Sequence, residues 1–277
     1  MSQRERDLST LSVVVTGGAR GIGRATVERL ARRGARVAVG DLDADLAREV
    51  AAPLGPRVVA AGLDVTERGS WEAFLASTAA VGPVDVLINN AGIMPLGPVL
   101  AEPDVLARRI VDVNLHGLVL GTKLVVPGMV ERGRGHVVNV ASAVGRVALA
   151  DGATYSASKF AAVGFSEATR AELAPYGVEV SVVLPTIVRT ELAAGVPATR
   201  GVRPVSADDV ARVIEATVRR PRAEVWVPRY AQAVAKGSQL LPRRVQSVLA
   251  HAFRADAALS GADPAARAAY EERVRRG

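Results

Sequence analysis

Short apolar runs and helical stretches alternate along most of this chain. Leu11-Ser12-Val13-Val14-Val15 is a nearly continuous apolar run, the pattern of a strand buried on both faces. Ile22, Ala25, Thr26, Arg29 and Leu30 then recur at helical spacing until Gly34. Arg36 to Gly40 predicts a second strand ended by Asp41, and Val58 to Leu63 a third ended by Asp64 and Val65. Helices are predicted over 43–52, before Pro53, and over 70–80, with Thr66 or Ser70 as cap and Gly82-Pro83 as stop. Val84 to Ile88, His136 to Ala141, Val178 to Leu184 and Ala223 to Val227 complete the strands, and a further helix starts near Ser206. Strand-then-helix units of about thirty residues predict an α/β fold, a parallel sheet of about seven strands with helices on both faces. In such sheets a ligand sits beyond the carboxyl ends of the strands. The polar motifs of this chain all fall just after a strand or in the helix that follows one.

Composition narrows the chemistry. With no cysteine, disulfides, thiolate metal sites and a cysteine nucleophile are excluded, and His116, His136 and His251 lack metal-ligand spacing. The polar N-terminus carries no signal peptide, and no uninterrupted apolar stretch reaches bilayer-spanning length, so a soluble cytoplasmic protein is expected. Net charge is +7, but residues 1–218 balance at 23 basic and 23 acidic, so the excess lies in 219–277, with 12 and 5. The expected organisation is therefore one dinucleotide-binding catalytic domain over 1–228 and a basic helical extension over 229–277 that is not a domain of its own. Val245, Val248, Leu249 and Phe253 form one apolar helix face in that extension. It packs on the domain or a neighbouring subunit, or, in a sharper reading, makes peripheral membrane contact with anionic lipid. Few aromatics accompany its arginines, which argues against nucleic acid. Residues 260–277 are expected to be partly disordered.

Gly17, Gly21 and Gly23 sit between a strand and a helix, where glycine lets the backbone approach a pyrophosphate and the helix N-terminus offers free N–H groups. Asp41, at the end of the second strand, can accept from ribose hydroxyls and repel a 2′-phosphate, favouring NAD over NADP. Arg20 is the counterweight, since it could swing towards such a phosphate, and Asp41 could instead cap the helix over 43–52. Asp64 and Val65 would lie under the adenine, although Asp64 also reads as a plain turn residue. Asn90 can hold strand ends together and touch the cofactor, while Ala91 and Gly92 leave it room.

Tyr155 and Lys159, at i and i+4, present their heads on one helix face. An ammonium nearby, with oxidised nicotinamide, favours the phenolate and lowers a pKa otherwise near 10. Tyr155 can then give a proton to a carbonyl oxygen or take one from an alcohol. Ser142 is placed to hydrogen-bond the same substrate oxygen, and Asn114 to support a water joining Lys159 to solvent. A serine-hydrolase reading lacks the G-x-S-x-G elbow and a suitable histidine.

With these residues in order, the chain resembles the short-chain dehydrogenase/reductase family over roughly residues 10–228. The resemblance rests on Thr16-Gly17-x-x-x-Gly21-x-Gly23, the Asn89-Asn90-Ala91-Gly92 run and the set Asn114, Ser142, Tyr155 and Lys159. It implies a Rossmann-type doubly wound sheet and an oxidoreductase interconverting a secondary alcohol and a ketone. It also implies cofactor contacts from Gly17, Arg20, Ile22, Asp41, Asp64, Val65 and Asn90, and a homodimer or homotetramer. Pro185, Val188 and Thr190 follow the sixth strand, with Val188 facing the nicotinamide carboxamide; Thr186 stands where the family has glycine. Leu149, Ala150, Leu192, Val196 and Pro197 are expected walls, suited to a lipophilic substrate. The alternative is a cofactor-sensing or regulatory binding protein on the same fold.

Overall fold

The computed structural model describes residues 5–197, 203–239, 259 and 261–276. Valine-rich segments form the centre: β1 (Ser12–Thr16), β2 (Arg36–Asp41), β3 (Val58–Gly62), β4 (Val86–Asn89), β5 (Gly135–Val140) and β6 (Val178–Pro185). A two-stranded pair, β7 (Val188–Arg189) and β8 (Val205–Ser206), precedes the last strand, β9 (Glu224–Val227). The main sheet is parallel throughout, in the order β3-β2-β1-β4-β5-β6-β9. Burial on both faces explains the unbroken apolar runs: Val13, Val14 and Val15 are all buried, with alternate residues in different cores. This is the doubly wound fold expected, with boundaries moved by one or two residues.

Helices cover both faces: α1 (Gly21–Arg32), α2 (Ala44–Ala51), α3 (Arg68–Ser77), α4 (Asp104–Val111), α5 (Gly117–Glu131), α6 (Ala153–Leu173) and α7 (Ala207–Arg219). Ser206 caps α7 in a reciprocal capping box with Asp209. Neither Thr66 nor Ser70 caps α3, whose N-cap is Glu67 with no side-chain hydrogen bond. Ser70 instead receives the Asp64 N–H, and Thr66 bonds the Asp64 carboxylate. Between α4 and α5 lies a π-helical turn, Asp112–His116, making one continuous 28-residue segment. The segment is long and apolar enough to cross a bilayer, but its Ile110, Leu118, Val125, Val126 and Met129 are buried in the protein core.

Two helices follow the last strand, α8 (Tyr230–Gln239) and α9 (Pro264–Arg276). The apolar face over Val245 to Phe253 lies outside the described residues. Within 260–277, expected to be partly disordered, Pro264–Arg276 forms α9, a helix of 13 residues that buries Arg267, Tyr270 and Val274 at i, i+3 and i+7. Its alanine- and arginine-rich composition hid that face. Strand order reverses between β1 and β4, and the crevice this opens at their carboxyl ends is where the motifs meet.

Candidate active site

The glycine turn is built by close backbone approach. Gly17 has φ +63°, and a Cβ there would lie 2.9 Å from the Ala91 Cα. At Gly23 a Cβ would lie 1.9 Å from the Gly17 carbonyl oxygen. Gly23 therefore packs α1 behind the turn and does not line the cleft, a correction to its expected cofactor contact. Helix α1 starts with no side-chain cap, which leaves its first N–H groups to a ligand. Asn90 braces the same turn from just beyond β4, donating its amide to the carbonyls of Thr16 (2.9 Å) and Gly17 (3.0 Å). The Thr16 hydroxyl accepts the N–H groups of Asn90 and Ala91, each at 3.0 Å.

Asp41 accepts the N–H of Ala19 at 2.9 Å and of Asp43 at 3.1 Å, one on each carboxylate oxygen. The helix cap is Asp43, which accepts the Leu46 N–H, so the capping alternative for Asp41 does not hold. Arg20 is held by Asp43 at 2.9 Å and Glu191 at 3.6 Å. Asp64 accepts from the Thr66 N–H and hydroxyl, so it is a turn residue that also lines the cleft.

The residues expected to react stand opposite. Tyr155 and Lys159 are both buried on α6, with the Lys159 Nζ 5.8 Å from the centre of the Tyr155 ring and 3.4 Å from the Val140 carbonyl oxygen. Ser142 hydrogen-bonds the phenol and accepts the Val144 N–H. Asn114 sits in the π turn, a distortion common at functional sites. Its Oδ1 accepts the Ile93 N–H (2.8 Å), and its Nδ2 donates to the Ile93 carbonyl (2.9 Å) and the Ser158 hydroxyl (3.0 Å). Asn114 thus braces the loop after β4 from behind, a role beyond the expected water support, and does not itself line the cleft.

Burial dominates the titration of this pair. It pushes the Tyr155 phenol up to about 12, with the Ser142 hydrogen bond pulling the other way. It pushes Lys159 down to about 8. The expected lowering of the phenol is therefore not achieved by the protein groups alone, because desolvation outweighs the Ser142 hydrogen bond.

One cleft of about 1820 Å³ joins the two halves. Gly17, Arg20, Gly21, Ile22, Asp41, Asp64, Val65, Asn90, Ala91, Gly92, Ser142, Tyr155, Lys159, Pro185, Val188 and Thr190 all line it. Leu149, Leu192 and Val196 line it too, whereas Ala150 and Pro197 do not. The residues present fit a nicotinamide dinucleotide: a glycine cradle that a Cβ would fill, an uncapped helix start, and a carboxylate at the end of β2. Thr186 Oγ1 and Arg109 Nε, on residues that line the cleft, are buried without a hydrogen-bond partner among the described residues. Sequence reasoning gave no separate role to Thr16, which opens the glycine motif, and missed Ser158, Arg267 and Tyr270. Ser158 is a short hydroxyl residue between Tyr155 and Lys159, while the buried spacing of the last two on α9 was a usable signal.

Comparison with known proteins agrees with this geometry. The family model described as short chain dehydrogenase matches residues 12–201. The chain is 37% identical over 185 residues to a 3-alpha-(or 20-beta)-hydroxysteroid dehydrogenase of Mycobacterium bovis, covering 66% of this chain and 71% of that protein. It is 40% identical over 218 residues to 1-deoxy-11-beta-hydroxypentalenate dehydrogenase of Streptomyces exfoliatus, covering 75% and 79%. Among solved structures, the 3-ketoacyl-(acyl-carrier-protein) reductase of Brucella melitensis, complexed with NADH, superposes with a TM-score of 0.72 at 26% identity, covering 79% of this chain and 97% of that one.

Proposed function

Because the chain belongs to the short-chain dehydrogenase family, we propose that it interconverts a secondary alcohol and a ketone, with NAD as preferred cofactor and an apolar alicyclic compound as substrate. The observation that carries this reading is the convergence of Tyr155, Ser142 and Lys159 on the cleft that also holds the glycine turn and Asp41. When bound, the nicotinamide accepts or supplies the hydride. Gly17, Gly21 and Ile22 would hold the pyrophosphate, Asp41 the adenosine ribose, and Val188 and Thr190 the nicotinamide end. Tyr155 holds the proton at its hydroxyl oxygen: as phenol it donates to the carbonyl oxygen, and as phenolate it takes the alcohol proton. Ser142 anchors that substrate oxygen, and Lys159 stabilises negative charge on Tyr155. The chamber around them is apolar, with Met94, Ile110 and Tyr155 in one buried cluster that Ile93, Leu192 and Val196 join. Such walls exclude water and suit a hydrophobic ring, in keeping with relatives named for hydroxysteroid and hydroxypentalenate oxidation. A panel of cyclic secondary alcohols with NAD, followed at the NADH absorbance, tests the reading; no turnover across the panel would defeat it. A cofactor-sensing role has no observation in its favour.

The preference for NAD is supported by two details. Each Asp41 oxygen keeps a lone pair for a ribose hydroxyl, and Arg20 is drawn towards Asp43 and Glu191. A 2′-phosphate beside Asp41 meets like charge, which costs several kcal/mol at close range. NADH is expected to bind at least about tenfold more tightly than NADPH. Fluorescence titration checks this, and tighter NADPH binding would overturn it.

We also propose a homodimer or homotetramer formed through α4 and α6, where Val105 and Phe160 are exposed apolar side chains. Light scattering of the purified chain is expected to give a multiple of the single-chain mass; a monomer would remove the proposal.

A further inference from the structure

Helix α9 folds back over the substrate end of the cleft and is fixed there by a buried charge. Arg267 donates to the carbonyl oxygens of Met94 (2.6 Å), Leu192 (3.0 Å) and Ala194 (3.2 Å) and pairs with Glu271 at 3.0 Å. Those carbonyls belong to two segments that frame the reaction chamber: the loop after β4 and the turn after β7. A buried guanidinium with several charge-assisted bonds is costly to release, so the helix is held in one place. One turn further on, the Tyr270 hydroxyl accepts the Met94 N–H at 2.6 Å. The guanidinium carbons of Arg267 and Arg273 lie 5.2 and 5.7 Å from its ring centre. The backbones also meet closely. Asp263 donates its N–H to the Gly195 carbonyl at 2.9 Å, and a Cβ on Gly195, whose φ is +71°, would lie 2.7 Å from the Asp263 carbonyl oxygen.

This docking does more than brace the fold, because Ala269, Tyr270 and Val274 line the same cleft as Tyr155. Burial raises the Tyr270 phenol, and Tyr155 is close enough that its charge would raise it further, so Tyr270 stays neutral beside the reacting phenol. Arg267 and Arg273 are already paired, the latter with Glu191 at 2.6 Å; Glu272 and Arg273 also line the cleft, while Ala269, Tyr270 and Val274 give it an aromatic and aliphatic surface.

We propose that α9 is the specificity wall of the site, and that Tyr270 sets how large a ring can stand against Tyr155. The proposal rests on the alcohol/ketone reading above and adds the residue that selects among such substrates. The test uses the full chain and its Tyr270→Ala, Tyr270→Trp and Val274→Ala variants. Cyclohexanone and the bicyclic ketone 2-decalone are the probes, and dissociation constants are read from the fluorescence of Trp226, which lines the cleft. Turnover of the matching alcohols with NAD is measured in parallel.

Tyr270→Ala is expected to shift the binding ratio by about tenfold or more towards the larger ketone, and Tyr270→Trp to shift it towards the smaller. Val274→Ala, the milder change, shifts it in the same direction as Tyr270→Ala by less. The NADH dissociation constant stays within about twofold throughout. A ratio unchanged in every variant, or failure of both ketones to bind the unmodified chain, would overturn the proposal and leave α9 a brace. If the ketones bind and the variants re-order them but no NADH forms, the oxidoreductase reading fails while the wall stands.

Discussion

Tyr155→Phe is expected to reduce kcat for alcohol and ketone alike by about a thousandfold, while the dissociation constant for NADH stays within about twofold. Phenylalanine keeps the ring that packs with Met94 and Ile110, so the fold and the cleft wall survive the change. What disappears is the oxygen that carries the proton. Ser142 can still hydrogen-bond a substrate oxygen, but a hydroxyl with no base beside it cannot exchange that proton at a useful rate. Steady-state kinetics together with NADH fluorescence separate the two effects. A variant that retains more than about a tenth of the original turnover would show that another group moves the proton.

The pH profile of the unmodified chain follows from the same residue. With its phenol pushed up to about 12, Tyr155 is protonated at neutrality and is a fully populated donor for ketone reduction. Alcohol oxidation uses the phenolate fraction, so its rate is expected to climb by about tenfold per pH unit below that pKa. A cation bound beside the phenol, oxidised nicotinamide included, moves the rise to lower pH.

Lys159→Met is expected to abolish useful turnover and, at pH 7, to raise the melting temperature. Burial depresses Lys159 from 10.5 to about 8, and a depressed lysine destabilises the folded state wherever the unfolded chain would hold the proton more tightly. The sign is as follows. Below about pH 8 both states are protonated and the full cost of the buried charge is present. Between there and 10.5 the folded chain gives up its proton first, so stability rises with pH through that window. The cost is on the order of 3 kcal/mol, enough to move the melting temperature by several degrees. The gap between variant and parent should therefore be widest at neutral pH and narrow by pH 10. A gap that is absent at pH 7, or constant with pH, would mean that another group compensates the charge. The lysine is kept at this cost because its ammonium stands 5.8 Å from the ring whose acidity matters.

How much of this was legible in the residues depends on the range of the interaction that decides each part. The strands were legible because a parallel sheet buried on both faces admits only apolar residues, and runs such as Val13-Val14-Val15 state that locally. The motif residues of the cleft were legible for a related reason. Gly17 is required by its own φ of +63°, and Tyr155 and Lys159 share a face by the pitch of one helix. Gly23 was placed on the wrong side of the turn, since its constraint is contact with a carbonyl six residues earlier in the chain. The opposing effect of burial on the Tyr155 phenol was not legible, because neighbouring charge can be read from spacing whereas desolvation depends on everything packed around the ring.

Periodicity and local motif thus determined the architecture, the pairing of Tyr155 with Lys159 on one helix face and the glycine turn, all set by interactions within a strand, a turn or one helix. Only tertiary structure decided that Asn114 braces Ile93, and that Arg267 and Tyr270 close the substrate end. Those contacts join segments distant in sequence, and their partners are largely backbone carbonyls and N–H groups. Every residue carries such groups, so no residue type marks them in advance.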